Sequence, residues 1–331
     1  MNALVTGAGG FIGSHLVAYL VQRGHSVRAL VHDAKRHDTW TSSVEVVVGD
    51  VLDRHTMKAA AFGCETIYHL AGKAHMLSEV QGSEDVYRGI NTEGTRHVLE
   101  GAIAGGARAF VLFSSVKAMG EGGSRCLDES FDGVPETPYG RSKREAERLV
   151  LEVGRHARLH VTCLRLPLVY GPGNKGNLYR MIAAIDRGMF PPLQEVGNRR
   201  SLVHVADVVR AAVLAAETPV ANGRCYIITS GPPYSTRELY VLINRCLGRQ
   251  MSSWQTPLWM LKALAIAGDA IGRLRGKRCI FDSDALNKLV ESAWYSSDAI
   301  ARDLGYHPLM TFENAMPEII QDYRSGLRQC S

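Results

Sequence analysis

There is no CxxC pair in this chain. Its seven cysteines (Cys64, Cys126, Cys163, Cys225, Cys246, Cys279 and Cys330) are odd in number and scattered. That tells against a disulfide framework or a zinc site and suits a reducing compartment, so no metal is expected. Nor is there a massed basic tract. The 38 lysines and arginines are spread along the chain and leave a net charge of only +5, a poor fit to a nucleic-acid partner. No internal repeat or low-complexity segment interrupts the 331 residues, which sets aside solenoids and disordered arrays. No basic-then-apolar leader precedes the first strand-like run, so a cytoplasmic protein is expected. The length is ample for a large core, in one long domain or two closely joined ones.

What is present begins at the fourth residue. Leu4 to Gly13 read Leu-Val-Thr-Gly-Ala-Gly-Gly-Phe-Ile-Gly, an apolar run that breaks into glycines three apart and resumes as a helix. Strand, tight turn and helix N-terminus together cradle a dinucleotide pyrophosphate. Gly7 permits the sharp turn, Gly10 lets the backbone approach the phosphates, and Gly13 lets the helix pack closely on the strand. The free N–H groups and the positive end of the helix dipole then face the phosphate charge.

Further strand-like runs lie near 26–31, 44–48, 65–70, 108–114 and 159–165, after the first at 2–6. Helical patterns near 11–23, 53–61, 83–104 and 138–154 alternate with them. The alternation predicts an α/β fold, a Rossmann-type doubly wound parallel sheet whose ligands lie beyond the carboxyl ends of the strands. The glycine loop, Ala71-Gly72 and Ser114-Ser115 all fall at that edge. After Gly171-Pro172-Gly173 the pattern loosens into shorter helices near 176–188, 207–217, 235–247, 257–274 and 312–326. Residues 1–170 are therefore expected to form the dinucleotide-binding domain, and 171–331 a smaller, mostly helical substrate-binding lobe.

Tyr139 and Lys143 stand four apart in Pro-Tyr-Gly-Arg-Ser-Lys, at the start of a helix, and so share one face. On spacing alone this is as readily a surface pair. Ser115, however, ends a buried strand 24 residues earlier, at the same edge as the glycine loop.

With these residues the chain resembles the extended short-chain dehydrogenase/reductases, the NAD-dependent epimerase/dehydratase family. The resemblance runs from Thr6-Gly7-Ala8-Gly9-Gly10-Phe11-Ile12-Gly13 through Gly49-Asp50, His69-Leu70-Ala71-Gly72, Asn91-Thr92-Glu93-Gly94-Thr95 and Phe113-Ser114-Ser115 to Tyr139-Gly140-Arg141-Ser142-Lys143. It continues into Leu166-Pro167-Leu168-Val169-Tyr170-Gly171-Pro172-Gly173 and Arg200-Ser201-Leu202-Val203-His204-Val205.

The resemblance implies that Tyr139 takes the proton from a sugar hydroxyl as the carbon-bound hydrogen leaves as hydride to nicotinamide. Ser115 would hold the same oxygen while charge develops on it. A free phenol, with a pKa of about 10, is too weak an acid for that role. Lys143 and the positive nicotinamide are expected to bring it down. Asn91 would support the lysine or its helix, with an ordinary helix cap as the plain alternative. By the same resemblance the cofactor would touch Gly7, Gly10, Phe11, Ile12 and Gly13, Asp50 and Val51 near the adenine, and Leu70, Ala71, Gly72, Tyr139, Lys143 and Pro167. Homodimers through the helices near 83–104 and 138–154 are also implied.

NAD users in this family carry an acid at the end of the second strand. Here Val31-His32-Asp33 is followed by Lys35 and Arg36. NAD and NADP both stay open, with His32 and the two cations tilting the reading toward NADP.

Dehydratases place Asp-Glu directly after the active-site hydroxyl, and this chain has Val116-Lys117. Epimerisation at C4 and reduction of a 4-keto sugar remain. In UDP-sugar epimerases an asparagine of a Gly-Asn-Leu turn and an arginine before a His-Val run hold the diphosphate, which here points to Asn177 and Arg200, with Lys117 nearby. Leu168 departs from the asparagine that UDP-hexose epimerases often carry there. The Gly-Asn-Leu-Tyr turn resembles epimerases of lipid-diphosphate-linked N-acetylglucosamine, and Ser-Val-Lys-x-x-Gly-Glu resembles UDP-N-acetylquinovosamine dehydrogenase.

The segment 257–278 sets Leu258, Trp259, Leu261, Leu264, Ile266 and Ile271 against one narrow stripe of Lys262, Asp269 and Arg273, followed by Arg275, Lys277 and Arg278. It is too short and charged to span a bilayer, but it suits either peripheral contact at the cytoplasmic face of a membrane or packing within the lobe.

The leading expectation is an NAD(P)-dependent 4-epimerase of a diphosphate-linked hexose or N-acetylhexosamine, UDP- or polyprenyl-linked, in surface polysaccharide or O-antigen assembly. The alternative is a 4-ketoreductase of a UDP-4-keto-6-deoxy sugar. A steroid- or flavonoid-type ketone reductase would not need Asn177 and Arg200. A non-catalytic NAD(P)-binding interaction protein shares the fold, but the intact Ser115, Tyr139 and Lys143 set tells against it.

Overall fold

A computed structural model describes residues 1–33, 40, 42–74, 83–251, 254–276, 279 and 281–329. In chain order the first half runs β1 (Asn2–Thr6), α1 (Phe11–Gln22), β2 (Ser26–Val31), β3 (Val44–Val48), α2 (Arg54–Ala61), β4 (Thr66–His69), α3 (Ser83–Arg88), α4 (Gly94–Ala104), β5 (Ala109–Ser115), β6 (Cys126–Leu127), α5 (Pro138–Ala157) and β7 (His160–Leu166). The second half runs β8 (Leu168–Tyr170), α6 (Asn177–Asp186), β9 (Leu202–His204), α7 (Val205–Glu217), β10 (Arg224–Ile227), α8 (Thr236–Leu247), α9 (Leu258–Arg275), α10 (Ser283–Val290), β11 (Trp294–Tyr295), α11 (Asp298–Leu304) and α12 (Phe312–Gln329).

Seven strands form one sheet in the order β10-β7-β5-β4-β1-β2-β3, with every pair parallel. All four residues of β4 and all seven of β5 are buried. A continuous apolar run of that kind is what a strand covered on both faces requires. On one face Leu16, Val17 and Leu20 of α1 and Val208, Val209 and Ala212 of α7 close a core over Val5 and Val111. On the other, Met57 of α2, Val98 and Leu99 of α4 and Ala146 and Val150 of α5 cover Leu4, Phe110 and Val161. The order of strands reverses between β1 and β4, and their carboxyl ends open a crevice for a ligand there.

The expected Rossmann-type sheet is present, with two additions. Residues 224–227 return as the edge strand β10 on β7, and α7 packs on α1. Chain beyond residue 170 thus completes the sheet as well as building the smaller lobe. That lobe has its own core, in which Tyr170, Ile182, Ile243, Phe312, Met316 and Tyr323 bring together α6, α8 and α12. The helix expected over 83–104 is interrupted by a π turn, Gly89–Glu93, between α3 and α4. Lys35, Arg36, Lys277, Arg278 and Cys330 lie outside the described residues; the six described cysteines are free.

Candidate active site

The crevice begins with the turn after β1. Gly7 has φ +67°, a left-handed conformation that favours glycine, and a Cβ there would lie 2.8 Å from the Ala71 nitrogen. Backbone therefore meets backbone where the turns after β1 and β4 touch. A Cβ on Gly13 would lie 2.2 Å from the Gly7 carbonyl oxygen, so no other residue lets α1 start this close to the turn. Gly10 caps α1 without a side chain, and the first turn carries no carboxylate. Its N–H groups and dipole are left to face an anion. The cradle fits a dinucleotide pyrophosphate.

A chain of hydrogen bonds runs beneath this cradle. The Ala71 N–H donates to Thr6 Oγ1 (3.1 Å), which in turn lies 2.7 Å from His69 Nδ1. His69 Nε2 lies 2.9 Å from Thr95 Oγ1, whose hydroxyl donates to the Asn91 carbonyl (2.6 Å). Each hydroxyl has one proton, so the sequence of donors has one consistent direction. Thr6 donates to Nδ1, and Nε2 carries the hydrogen that goes to Thr95. His69 must be neutral for this. Burial, with the Lys143 charge adding to it, pushes its pKa down to about 3. The imidazole thereby ties the ends of β1 and β4 to the π turn that carries Asn91. This residue was missed as a functional position; its signal is a histidine closing the apolar run Thr66-Ile67-Tyr68-His69.

Ser115 ends β5, and its hydroxyl accepts from the Lys117 N–H (3.2 Å), capping the short 3₁₀ turn Val116–Met119. Tyr139 and Lys143 lie in the first turns of α5, which starts with the Thr137 hydroxyl accepting from the Gly140 N–H (3.1 Å) and with Pro138 at the first helical position. A Cβ on Gly140 would lie 2.5 Å from the Lys117 carbonyl oxygen. That close approach brings the α5 N-terminus onto the turn after Ser115, and the Ser115 hydroxyl faces the Tyr139 phenol closely enough to act on its pKa. The Tyr139 ring also lies against Tyr87, with centroids 5.9 Å apart.

Lys143 Nζ donates to the Phe113 carbonyl (2.9 Å). A Cβ on Gly72 would lie 3.4 Å from that Nζ and 2.9 Å from Asn91 Oδ1, so these three groups meet at the edge of the crevice. Asn91 is no helix cap. Its side-chain oxygen accepts from the Lys73 N–H (2.8 Å), and its amide donates to the Lys73 carbonyl (3.1 Å) and to Ser142 Oγ (2.9 Å). Ser142 in turn donates to the Tyr139 carbonyl (2.9 Å). Asn91 thus clamps the segment after Gly72 to the helix of Tyr139 and Lys143. Deeper in α5, buried Glu147 pairs with Arg165 of β7 (2.8 Å) and accepts from Ser114 (2.6 Å), pinning the helix to the sheet.

Tyr139 is expected to be acidified by Lys143 together with the nicotinamide. In the protein by itself burial raises its pKa and Tyr87 adds to the rise, while the Ser115 hydroxyl works the other way. Lys143 is itself pushed down to about 8 by burial, against the pull of Glu147, and so stays largely protonated at neutral pH.

With this geometry in place, the family model described as "NAD dependent epimerase/dehydratase family" matches residues 3–228. The chain belongs to that family. Among curated relatives it is 27% identical over 327 residues to a UDP-glucose 4-epimerase of Vibrio cholerae, covering 97% of this chain and 95% of that one. It is also 27% identical over 329 residues to a 2-alkyl-3-oxoalkanoate reductase of Stenotrophomonas maltophilia, covering 96% and 97%. An N-acetyl-α-D-glucosaminyl-diphospho-ditrans,octacis-undecaprenol 4-epimerase of Escherichia coli O157:H7 is 23% identical over 301 residues, covering 90% and 88%. The fold is that of the UDP-glucose 4-epimerase of Thermotoga maritima solved with UDP-glucose (TM-score 0.78, 23% identical, covering 99% and 100%). As a member of this family the chain is an NAD-dependent enzyme.

Around the family's cofactor crevice, the ends of β2 and β3 differ in character. Val31 is buried, and His32 and Asp33 after it are exposed. Asp50 is exposed and accepts from the Leu52 N–H (2.9 Å), while Val51 is buried against α4 beneath Gly94. Leu70, Ala71 and Pro167 are half-buried along the same edge.

Toward the smaller lobe, Lys117 pairs with Glu121. Arg200 is half-buried; burial lowers its pKa, against the pull of Glu291, Tyr295 and Glu121. Its backbone bonds Tyr234 in both directions (2.9 Å each), yet its Nε is buried with no partner among the described residues. A buried, unpaired guanidinium donor is costly unless an acceptor meets it. Asn177 is exposed at the first position of α6. The turn before it is organised by Asn174, which donates to the Val169 carbonyl (2.7 Å) and accepts from the Gly176 N–H (2.5 Å). Lys117 and Arg200 thus share Glu121 as a charged neighbour, while Asn177 is exposed on a separate element.

Proposed function

We propose that this enzyme is a 4-epimerase of a diphosphate-linked hexose or N-acetylhexosamine, carried on UDP or on a polyprenyl chain, serving surface polysaccharide assembly in the cytoplasm. The observation that carries the reading is the orphaned Arg200 Nε beside the Lys117–Glu121 pair, two residues beyond Ser115. A ketone reductase acting on an uncharged substrate gives that buried donor nothing to bind. A diphosphate supplies acceptors in the planar geometry a guanidinium prefers.

In this reading the Gly7–Gly13 turn, Ala71, Gly72 and Lys143 hold the cofactor, with Asp50 and Val51 at its adenine end. When bound, the nicotinamide supplies a site that accepts hydride from carbon and gives it back. The phenol oxygen of Tyr139 takes the proton of the C4 hydroxyl and later returns it. Ser115 Oγ donates to the same sugar oxygen as charge builds there. Lys143, held between the Phe113 carbonyl and Asn91, keeps a positive charge near the cofactor ribose. Arg200 and Lys117 hold the diphosphate, and Asn177 reaches it from the rim. Pairing of two copies through the helices near 83–104 and 138–154 belongs to the same reading.

A second reading is favoured by one feature. β2 ends on buried Val31 with no acid in the last strand position, which suits NADP and hence a 4-ketoreductase that reloads NADPH at each turnover. The test offers the purified enzyme UDP-N-acetylglucosamine and, separately, a polyprenyl-diphosphate N-acetylglucosamine, with no cofactor added. Epimer from either supports the epimerase and identifies the carrier. No epimer from either, with NADPH-dependent reduction of a UDP-4-keto sugar, establishes the reductase instead. Tyr139→Phe should lower kcat by roughly 10²–10⁴-fold with cofactor binding retained.

A further inference from the structure

One helix presents apolar side chains to two sides. Leu261, Ala265 and Gly268 of α9 are buried, the first two packing on Leu193 and on Leu286 of α10. On the opposite side Trp259, Leu264, Ile266, Ile271 and Leu274 are all exposed, Leu274 to 87% and Trp259 to 70%. At about 100° per residue, those five span an arc of about 160° with only alanines and Met260 between them. The arc is edged by cations. Lys262 and Arg273 flank it on one side and Arg275 on the other, all exposed. The single acid of the helix, Asp269, is turned inward and accepts from the Ser283 N–H and hydroxyl.

We infer that this face of α9 docks on an anionic lipid bilayer surface. Soluble proteins do not leave an apolar face of this breadth in water without a use for it. No described helix is long and apolar enough to cross a membrane, so the mode is contact in the plane of the interface. There the apolar side chains sink among acyl chains, and Trp259 and the basic edges lie at headgroup level. Charge complementarity selects the occupant. The edges carry cations of one sign and the face has no carboxylate to answer them, so a second copy of this face would set cation against cation. Anionic headgroups supply the missing charge.

The test is co-sedimentation of the full-length enzyme with vesicles of phosphatidylcholine, with and without phosphatidylglycerol, at low and high salt. Binding should need the anionic lipid and weaken with salt. Ile266→Asp with Leu274→Asp should abolish it while the thermal midpoint and NAD binding are unchanged. Arg273→Gln with Arg275→Gln removes no apolar contact, and should weaken binding roughly 25-fold at about fivefold per basic side chain. Absence of binding to either vesicle, or equal binding to both, overturns the proposal. So does self-association that Ile266→Asp abolishes, which would assign the face to a second copy.

Discussion

Protonating His69 should unfasten the cofactor cradle, and the size of the effect follows from its surroundings. The imidazole accepts at Nδ1 from Thr6 and donates at Nε2 to Thr95, so a second proton leaves the Thr6 hydroxyl facing a donor. Its pKa stands at about 3 against an ordinary 6.5. The unfolded chain therefore takes up the proton first as pH falls, and the stability this residue contributes is full above pH 6.5 and lost progressively below it. Between about pH 7 and about pH 5 the loss from this group alone is about 2 kcal/mol. The His69→Leu variant cannot titrate there. It should be less stable at neutral pH by about 1–3 kcal/mol, because two hydroxyls each lose a partner, and its stability should fall less steeply with acid. Urea unfolding of both proteins at the two pH values measures the difference of differences. If wild type and variant lose stability in parallel, His69 is not held neutral by this chain of bonds and the reasoning fails.

Three further outcomes follow from single contacts. Gly13→Ala puts a methyl 2.2 Å from the Gly7 carbonyl oxygen; the strain should cost about 1–3 kcal/mol, and titration calorimetry should show weakened NAD binding with the Gly7 turn displaced. Glu147→Gln strands the buried Arg165 guanidinium and should destabilise the fold by about 3–5 kcal/mol, read as a lowered thermal midpoint. Arg200→Ala should raise KM for a diphosphate-linked sugar by roughly 10–100-fold, the worth of a charged hydrogen bond, with little change in the thermal midpoint. An unchanged KM would remove the diphosphate from the site.

Residues whose chemistry is imposed locally were readable before any coordinates. Gly7 and Gly13 announce the cradle because backbone geometry admits nothing else there, and the apolar runs of β4 and β5 announce a sheet covered on both faces. Tyr139 and Lys143 share a helix face by arithmetic. What stayed hidden depends on elements distant in the chain. The four residues of β10 carry too little pattern to declare a strand, and only pairing with β7 makes them one. The π turn at Gly89–Glu93 interrupts a sequence that reads as continuous helix, and Asn91 lies within it. Burial, a property of the whole fold, raises the pKa of Tyr139, and the spacing to Lys143 gives no sign of it. Gly140 shows the division most plainly. Its place after Tyr139 is visible as a motif, yet the reason for glycine is a carbonyl on another element 2.5 Å from where a Cβ would stand. Pairwise contact across the fold, rather than the helix itself, is therefore what sets the phenol against Ser115.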